Sequence, residues 1–167
     1  MPAWDVRRFA SIDSTNSWIM NQARAGAPEG LVAVAAHQSA GRGRLGRAWE
    51  APAGANLLCT VLLRPAVVSH LVPAAVALAG VEAARAVAGV EAAVKWPNDL
   101  VVGEAKLAGV LAEVDAGAVA AGIGMNVGWA PAGAVRLGDG VSPDEVLWAL
   151  LDALGRWYSA DAAALAR

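Results

Sequence analysis

Gly41-Arg42-Gly43-Arg44-Leu45-Gly46-Arg47-Ala48-Trp49 is the stretch that decides between two folds. Its Gly41-x-Gly43-x-x-Gly46 spacing is that of a dinucleotide-binding turn, which would make the chain a doubly wound parallel sheet. Such a turn must open a helix. Here Trp49, Pro52 and Gly54 follow, which favour an irregular loop. No Gly-x4-Gly-Lys-Ser/Thr run occurs, so a P-loop is excluded. What remains is a mobile glycine backbone carrying three guanidinium groups. Glycine lets backbone N–H groups approach an anion closely. Arginine adds forked, charge-assisted hydrogen bonds to phosphate or carboxylate. On its own such a loop is a solvated basic segment. Beside a polyanion its charge is compensated, so it reads as a loop that orders on binding.

Outward from this loop the chain alternates unevenly between strand and helix. Val6 to Ala10 reads as a strand. Ser14 to Ala25 reads as a helix, with Asp13 or Ser14 as its N-cap and Gly26 just past its end. Leu31 to Ala36 and Asn56 to Leu63 are strands of the buried type. A long Ala/Val-rich helix covers Ser69 to Ala88, closed by Gly89. Four strands then cluster: Ala93 to Trp96, Leu100 to Val102, Lys106 to Val114 and Ala118 to Val127. Tight turns at Val102-Gly103-Glu104 and Asp115-Ala116-Gly117 make them a meander. The last helix opens on a capping box, Ser142-Pro143-Asp144-Glu145, and carries an apolar stripe of Leu147, Leu150, Leu151, Leu154 and Trp157. The pattern predicts an α/β chain of α+β type, with a mixed, largely antiparallel sheet and helices mainly on one face.

Bulk composition narrows the function. The chain has 167 residues, enough for one domain with a sizeable core. Hydrophobic residues make up 57% and charged residues 17%, and the mean hydropathy is +0.45. The longest apolar run, Leu71 to Val81, contains Pro73 and stops at Glu82, so no membrane span is expected. Asp5, Arg7 and Arg8 stand where a signal peptide needs its apolar run. A net charge of −2 argues against general nucleic-acid binding. Cys59 is the single cysteine, in an apolar strand. It can form neither a disulfide framework nor a cysteine metal site, and a reducing cytoplasm is expected.

Four further clusters keep the loop company. Ser14-Thr15-Asn16 stands at a helix start, where N-capping alone would account for it. Lys95-Trp96-Pro97-Asn98-Asp99-Leu100 places Asn98 and Asp99 in a turn between strands. Lys106-Leu107-Ala108-Gly109-Val110-Leu111 opens an apolar strand on a lysine. Gly122-Ile123-Gly124-Met125-Asn126-Val127 puts glycines inside a strand, a mark of close approach by a ligand or another backbone.

In this order, with Gln38 between the first cluster and the loop, the motifs resemble those of the biotin protein ligase family over about residues 10–130. The resemblance implies a class II synthetase-like sheet shared with lipoyl ligases. It implies ATP-dependent formation of biotinyl-5′-AMP and transfer of biotin to a lysine of a biotin carboxyl carrier domain of acyl-CoA carboxylases. Residue by residue, it implies that Ser14, Thr15, Asn16 and Gln38 bind biotin, with Gly41, Arg42, Gly109 and Gly124 lining its pocket. Arg42, Arg44, Arg47, Trp49, Asn98, Asp99 and Asn126 are implied at ATP or the adenylate. Lys106 is implied between the biotin carboxylate and the α-phosphate, and Lys106 and Arg44 are implied to be catalytic. Mg²⁺ is expected to arrive with ATP, near Asp99, rather than at a protein-built cluster.

Two features depart from the family pattern. No winged helix precedes the catalytic region, so a monofunctional enzyme that leaves DNA alone is expected. No SH3-like barrel follows the last helix, so residues 1–167 are expected to form one catalytic domain, as a monomer or weak homodimer. Competing expectations are lipoate or octanoate transfer on the same fold, and a biotin-binding fragment that cannot complete transfer.

Overall fold

A computed structural model describes residues 3–165, and side chains through residue 159. Seven strands form one sheet in the order β1-β2-β3-β7-β6-β5-β4. They are β1 (Asp5–Phe9), β2 (Leu31–Ala35), β3 (Leu57–Leu63), β4 (Ala93–Lys95), β5 (Asp99–Val102), β6 (Ala105–Asp115) and β7 (Ala118–Met125). Helices α1 (Thr15–Arg24), α2 (Leu71–Ala88) and α3 (Pro143–Leu165) complete the fold. β1 pairs parallel with β2, because α1 carries the chain back between them. Every other pairing is antiparallel. The expected meander is β4 to β7, which starts at the sheet edge and returns to pair with β3.

Side-chain alternation along β3 separates the two faces. Leu57, Cys59, Val61 and Leu63 point into a core shared with Val72, Val76 and Ala79 of α2 and Leu147, Leu150, Leu151 and Leu154 of α3. Leu62 points the other way, into a smaller cluster with Ile19, Met20 and Ala23 of α1. Two helices therefore cover one face, and α1 covers part of the other. Burial pushes the Cys59 thiol up to about 12, so it stays protonated and inert at neutral pH.

Helix α2 runs seven residues beyond Val81, through Glu82 and Arg85 to Ala88. By length and composition it could cross a membrane. Its buried residues, however, pack into the core between sheet and α3. The α3 capping box forms as expected: Ser142 Oγ accepts from Glu145 N at 3.2 Å, and Glu145 Oε2 accepts from Ser142 N at 2.9 Å. The stripe differs at its end. Trp157 is 36% exposed and donates its indole N–H to Glu82 of α2, while Tyr158 is buried. Tyr158 follows Leu154 by four residues and Leu151 by seven, so it continues the inward line, and Trp157 falls at its margin.

Candidate active site

The loop after β2 is irregular, as its residues predict. Arg42 bridges Ala48, Gly43 N donates to Arg47 O at 2.7 Å, and Trp49 N donates to Gly41 O at 2.9 Å. These contacts fold residues 41–49 into a flap, with Leu45 85% exposed at its tip. The flap lies over the α1 face of β3, β7 and β6. That face is thinned where it passes underneath. A Cβ on Gly124 would lie 2.5 Å from the Trp49 ring, and one on Gly109 would lie 3.2 Å from it. A side chain at Gly124 would force the indole to shift, and one at Gly109 would crowd it. The indole N–H is buried there without an acceptor among the described residues.

Two clefts meet beneath the flap. The inner one is a slot of about 50 Å³, reaching Ser14, Thr15, Gln38, Arg42 and Thr60. The outer one is a cleft of about 460 Å³, bounded by Leu45, Arg47, Asp99, Asn126 and Trp129. Gly43, Arg44, Trp49, Asn98 and Lys106 line both, so they form the junction.

The inner end is polar because α1 begins there. Ser14 caps the helix, its Oγ accepting from Ser17 N at 3.3 Å, which leaves its hydroxyl proton free to donate. Gln38 Oε1 accepts from both Thr15 N (2.8 Å) and Thr15 Oγ1 (2.9 Å). This fixes the amide so that Nε2 is the donor left for a ligand. Thr60 Oγ1 lies 2.6 Å from Asn16 Oδ1 and 2.8 Å from Thr15 Oγ1. Asn16 spends both amide protons on β6, at Leu111 O (3.1 Å) and Glu113 Oε2 (2.9 Å). It therefore braces the slot, and its amide has no proton left for a ligand.

At the junction Lys106 Nζ is 2.9 Å from Asp99 Oδ1 and 5.4 Å from the centroid of the Trp49 ring. Arg44 Nη1 donates to Asn98 Oδ1 at 2.9 Å, and Asn98 Nδ2 donates to Val110 O at 3.0 Å. A cation from the flap and a cation from β6 thus both line the junction of the two clefts. Arg47 lines the outer cleft and has no side-chain partner among the described residues.

Most of the residues expected from sequence converge here. Ser14, Thr15, Asn16, Gln38, Arg42, Gly109 and Gly124 line the inner slot, and Arg47, Asp99 and Asn126 the outer cleft. Gly41 sits at the flap's hinge, where a Cβ would lie 2.4 Å from Trp49 O. Two placements refine the expected roles. Arg42 lines only the inner slot, and its guanidinium is held by Glu113 (2.7 Å) and Ser17 (3.1 Å). Asn126 gives its amide protons to Lys106 O and Val135 O and accepts from Asn56 Nδ2 at 3.4 Å, so it braces the strand that carries Lys106. Sequence reasoning missed Thr60, Asn56 and Glu113. Thr60 and Asn56 are buried polar residues in or beside an apolar strand, and a buried polar side chain in that setting needs partners, whereas the half-exposed Glu113 carries no such signal.

Comparison with known proteins agrees with this geometry. Residues 8–129 match the Biotin/lipoate A/B protein ligase family. A biotin–[acetyl-CoA-carboxylase] ligase of Mycobacterium tuberculosis is 40% identical over 130 residues, covering 73% of this chain and 49% of that protein. One from Paracoccus denitrificans is 38% identical, covering 90% of this chain and 72% of that protein. The structure superposes with a TM-score of 0.83 on a biotin protein ligase from Aquifex aeolicus solved in complex with biotin and ATP. That protein is 29% identical, and the match covers 92% of this chain and 69% of that one. The chain spans about half the length of the Mycobacterium relative.

Proposed function

The chain belongs to the Biotin/lipoate A/B protein ligase family, and from that premise we propose that it activates biotin with ATP and transfers it to a carrier lysine. The observation that carries this reading is the meeting of two clefts between Arg44 and Lys106. A reaction joining a carboxylate to an α-phosphate brings two anions together, and two cations at the point of contact offset their repulsion.

The inner slot offers the Ser14 hydroxyl and the Gln38 amide as donors, with the Thr15 and Thr60 oxygens beside them. This set suits a cyclic urea, which carries one carbonyl and two N–H groups. Lipoate or octanoate would press an apolar end against the same donors and leave them unpaired, at a cost of about 1–3 kcal/mol each. The biotin carboxylate would then point at the junction. The outer cleft would take ATP, with Arg47 and Arg44 meeting its phosphates. Asp99 is a single carboxylate, which fits a magnesium ion held mostly by nucleotide oxygens and water rather than by a protein cage. Such an ion would neutralise phosphate charge.

A carboxylate oxygen of biotin bonds to the α-phosphorus while the bond to the pyrophosphate oxygen breaks. Lys106 and Arg44 hold the attacking carboxylate against the α-phosphate, which is a positioning and electrostatic task. In the second step the neutral amine of a carrier lysine bonds to the acyl carbon, AMP leaves with its oxygen, and the amine proton passes to solvent. The flap, closed over Trp49, excludes water from the anhydride between these steps. The carrier would be a biotin carboxyl carrier domain of an acyl-CoA carboxylase, and a buried, free Cys59 suits the reducing cytoplasm where we place the reaction.

Biotin and ATP should release pyrophosphate, and mass spectrometry should show one biotin on a carrier domain added with them. Pyrophosphate without carrier labelling would support the fragment that activates biotin but cannot transfer it. Labelling by lipoate in preference to biotin would overturn the assignment of the slot.

A further inference from the structure

Glu113 lies on β6, outside both clefts, yet one of its oxygens ties three elements together. Arg42 Nη2 from the flap reaches Oε2 at 2.7 Å, and Asn16 Nδ2 from α1 reaches the same atom at 2.9 Å. Arg42 also donates to Ser17 Oγ of α1 at 3.1 Å. Asn16 is 5% exposed and held from every side: Leu111 O and Glu113 take its protons, and Thr60 sits on its Oδ1. Gly122 leaves it room, since a Cβ there would lie 2.1 Å from Oδ1. The Glu113 carboxylate is thus pinned from the core side by Asn16 and offers its remaining negative charge to the flap.

We propose that Glu113 is a positioning residue, the latch on which Arg42 docks the flap over the inner slot. Of the flap's three arginines, Arg42 is the one paired with a carboxylate among the described residues. Arg44 is held by a neutral amide, and Arg47 by no side chain among the described residues. Charge therefore fastens the flap at its base and leaves its two outer cations for ligand. At 43% and 38% side-chain exposure the Arg42–Glu113 pair is only partly screened, and its second donor makes it stronger than a lone surface pair.

The latch rests on the ligase reading for its consequence, but not for its test. Limited trypsin cleavage after Arg44 and Arg47, followed by mass spectrometry without ligand, reports how often the flap opens. Glu113→Gln keeps an acceptor for Asn16 and removes the charge. It should speed cleavage about fivefold, the most that an exposed pair usually contributes. Arg42→Met, which also gives up the Ser17 hydrogen bond, should speed cleavage at least as much, and the double variant should be no faster than Arg42→Met alone, because Glu113→Gln then has no flap partner left to lose. Glu113→Asp should return part of the protection. Biotin titration should show the Glu113→Gln affinity weakened by a similar factor, seen as a raised KM with kcat unchanged. Asp115→Asn, which breaks the Arg24 pair two residues along the strand, is the control and should leave the flap alone.

Wild-type cleavage rates in both single variants, or single effects that multiply in the double, would overturn the latch. Faster cleavage accompanied by an equal loss of melting temperature would also overturn it, in favour of general loosening. If the wild type fails to bind biotin, the ligase reading falls while the trypsin measurements still decide the latch.

Discussion

The two faces of the sheet are made by the same strands and do opposite things. Facing α2 and α3, every inward residue of β3 is aliphatic or Cys59, and the layer between sheet and helices is continuous. On the α1 face, β3 and β7 present Thr60, Gly122 and Gly124 in place of side chains that would fill the space. One face gains stability by burying apolar surface. The other gives up part of that burial so that Trp49 and a polar slot can lie against the backbone. Stability and binding are thereby separated by side-chain parity along one strand, and substitutions of opposite parity should affect different properties.

The largest effect should come from the helix-packed face. Leu150 is fully buried, and Leu150→Ala should lower stability by about 4 kcal/mol. Chemical denaturation would measure it, and the folded fraction should still bind biotin with wild-type affinity. Lost affinity in folded protein would mean that the faces are not independent.

Lys106→Ala is the counterpart on the site. If Lys106 acts as proposed at the transition state, removing its charge should cost about 3 kcal/mol, or about a hundredfold in pyrophosphate release. Biotin affinity and melting temperature should change little by comparison. Lys106→Arg should rescue poorly, because a planar fork does not replace a compact ammonium beside Asp99. Lys95 lies in the neighbouring motif, paired across from Asp99 on β4, and lines neither cleft. If Lys95→Ala is slower than Lys106→Ala, the two lysines have been placed wrongly.

The helix-packed face was the more legible in the sequence. Buried runs such as Leu57 to Leu63 and the leucines of α3 announce themselves by composition and period, and every predicted element forms within a few residues of its expected ends. Which helix covers which face is a matter of chain path, and only the structure separates α1 from α2 and α3. On the site face, motif residues were legible where they cluster, as at Ser14-Thr15-Asn16 and Gly41 to Trp49. Glu113 was not, because a glutamate near the end of a strand looks like any solvated residue. Its partners lie 71 and 97 positions away in the chain. Asn126 was picked out by its motif and lines the outer cleft, while the use of its amide as a brace depends on Asn56 and Val135, which only the fold brings near.

Gly124→Ala tests the thinned face with a single methyl. The added Cβ would stand 2.5 Å from the Trp49 ring, and a ring mounted on the flap can yield only by moving off the sheet. Overpacking of this kind costs about 1–3 kcal/mol where the neighbours are rigid. Here the cost should fall on the flap, as about a tenfold loss of biotin affinity by calorimetry, with the melting temperature nearly unchanged. A melting temperature as low as that of Leu150→Ala would erase the distinction between the faces.

The smallest expected effect belongs to neither face. β6 and β7 are joined by a two-residue turn between Asp115 and Ala118, in which Ala116 has φ 47 and Gly117 has φ 80. Positive φ at both central positions is the turn that matches strand twist, and it favours Asn-Gly. Alanine in the left-handed region costs about 1–2 kcal/mol, from its Cβ crowding the carbonyl. Ala116→Gly would relieve that but lose part of the gain to the greater freedom of glycine in the unfolded chain. Ala116→Asn tolerates the conformation without that loss and should stabilise the protein by about 1 kcal/mol, raising the melting temperature by about 2–4 °C. The turn stands six residues beyond Gly109 on β6, roughly 20 Å away at strand rise, so biotin affinity should not move. Stabilisation with unchanged binding would show that the hairpin can be tightened from its tip without touching the slot. A change in affinity would mean that the slot responds to the whole length of β6, and the separation by parity would then be incomplete.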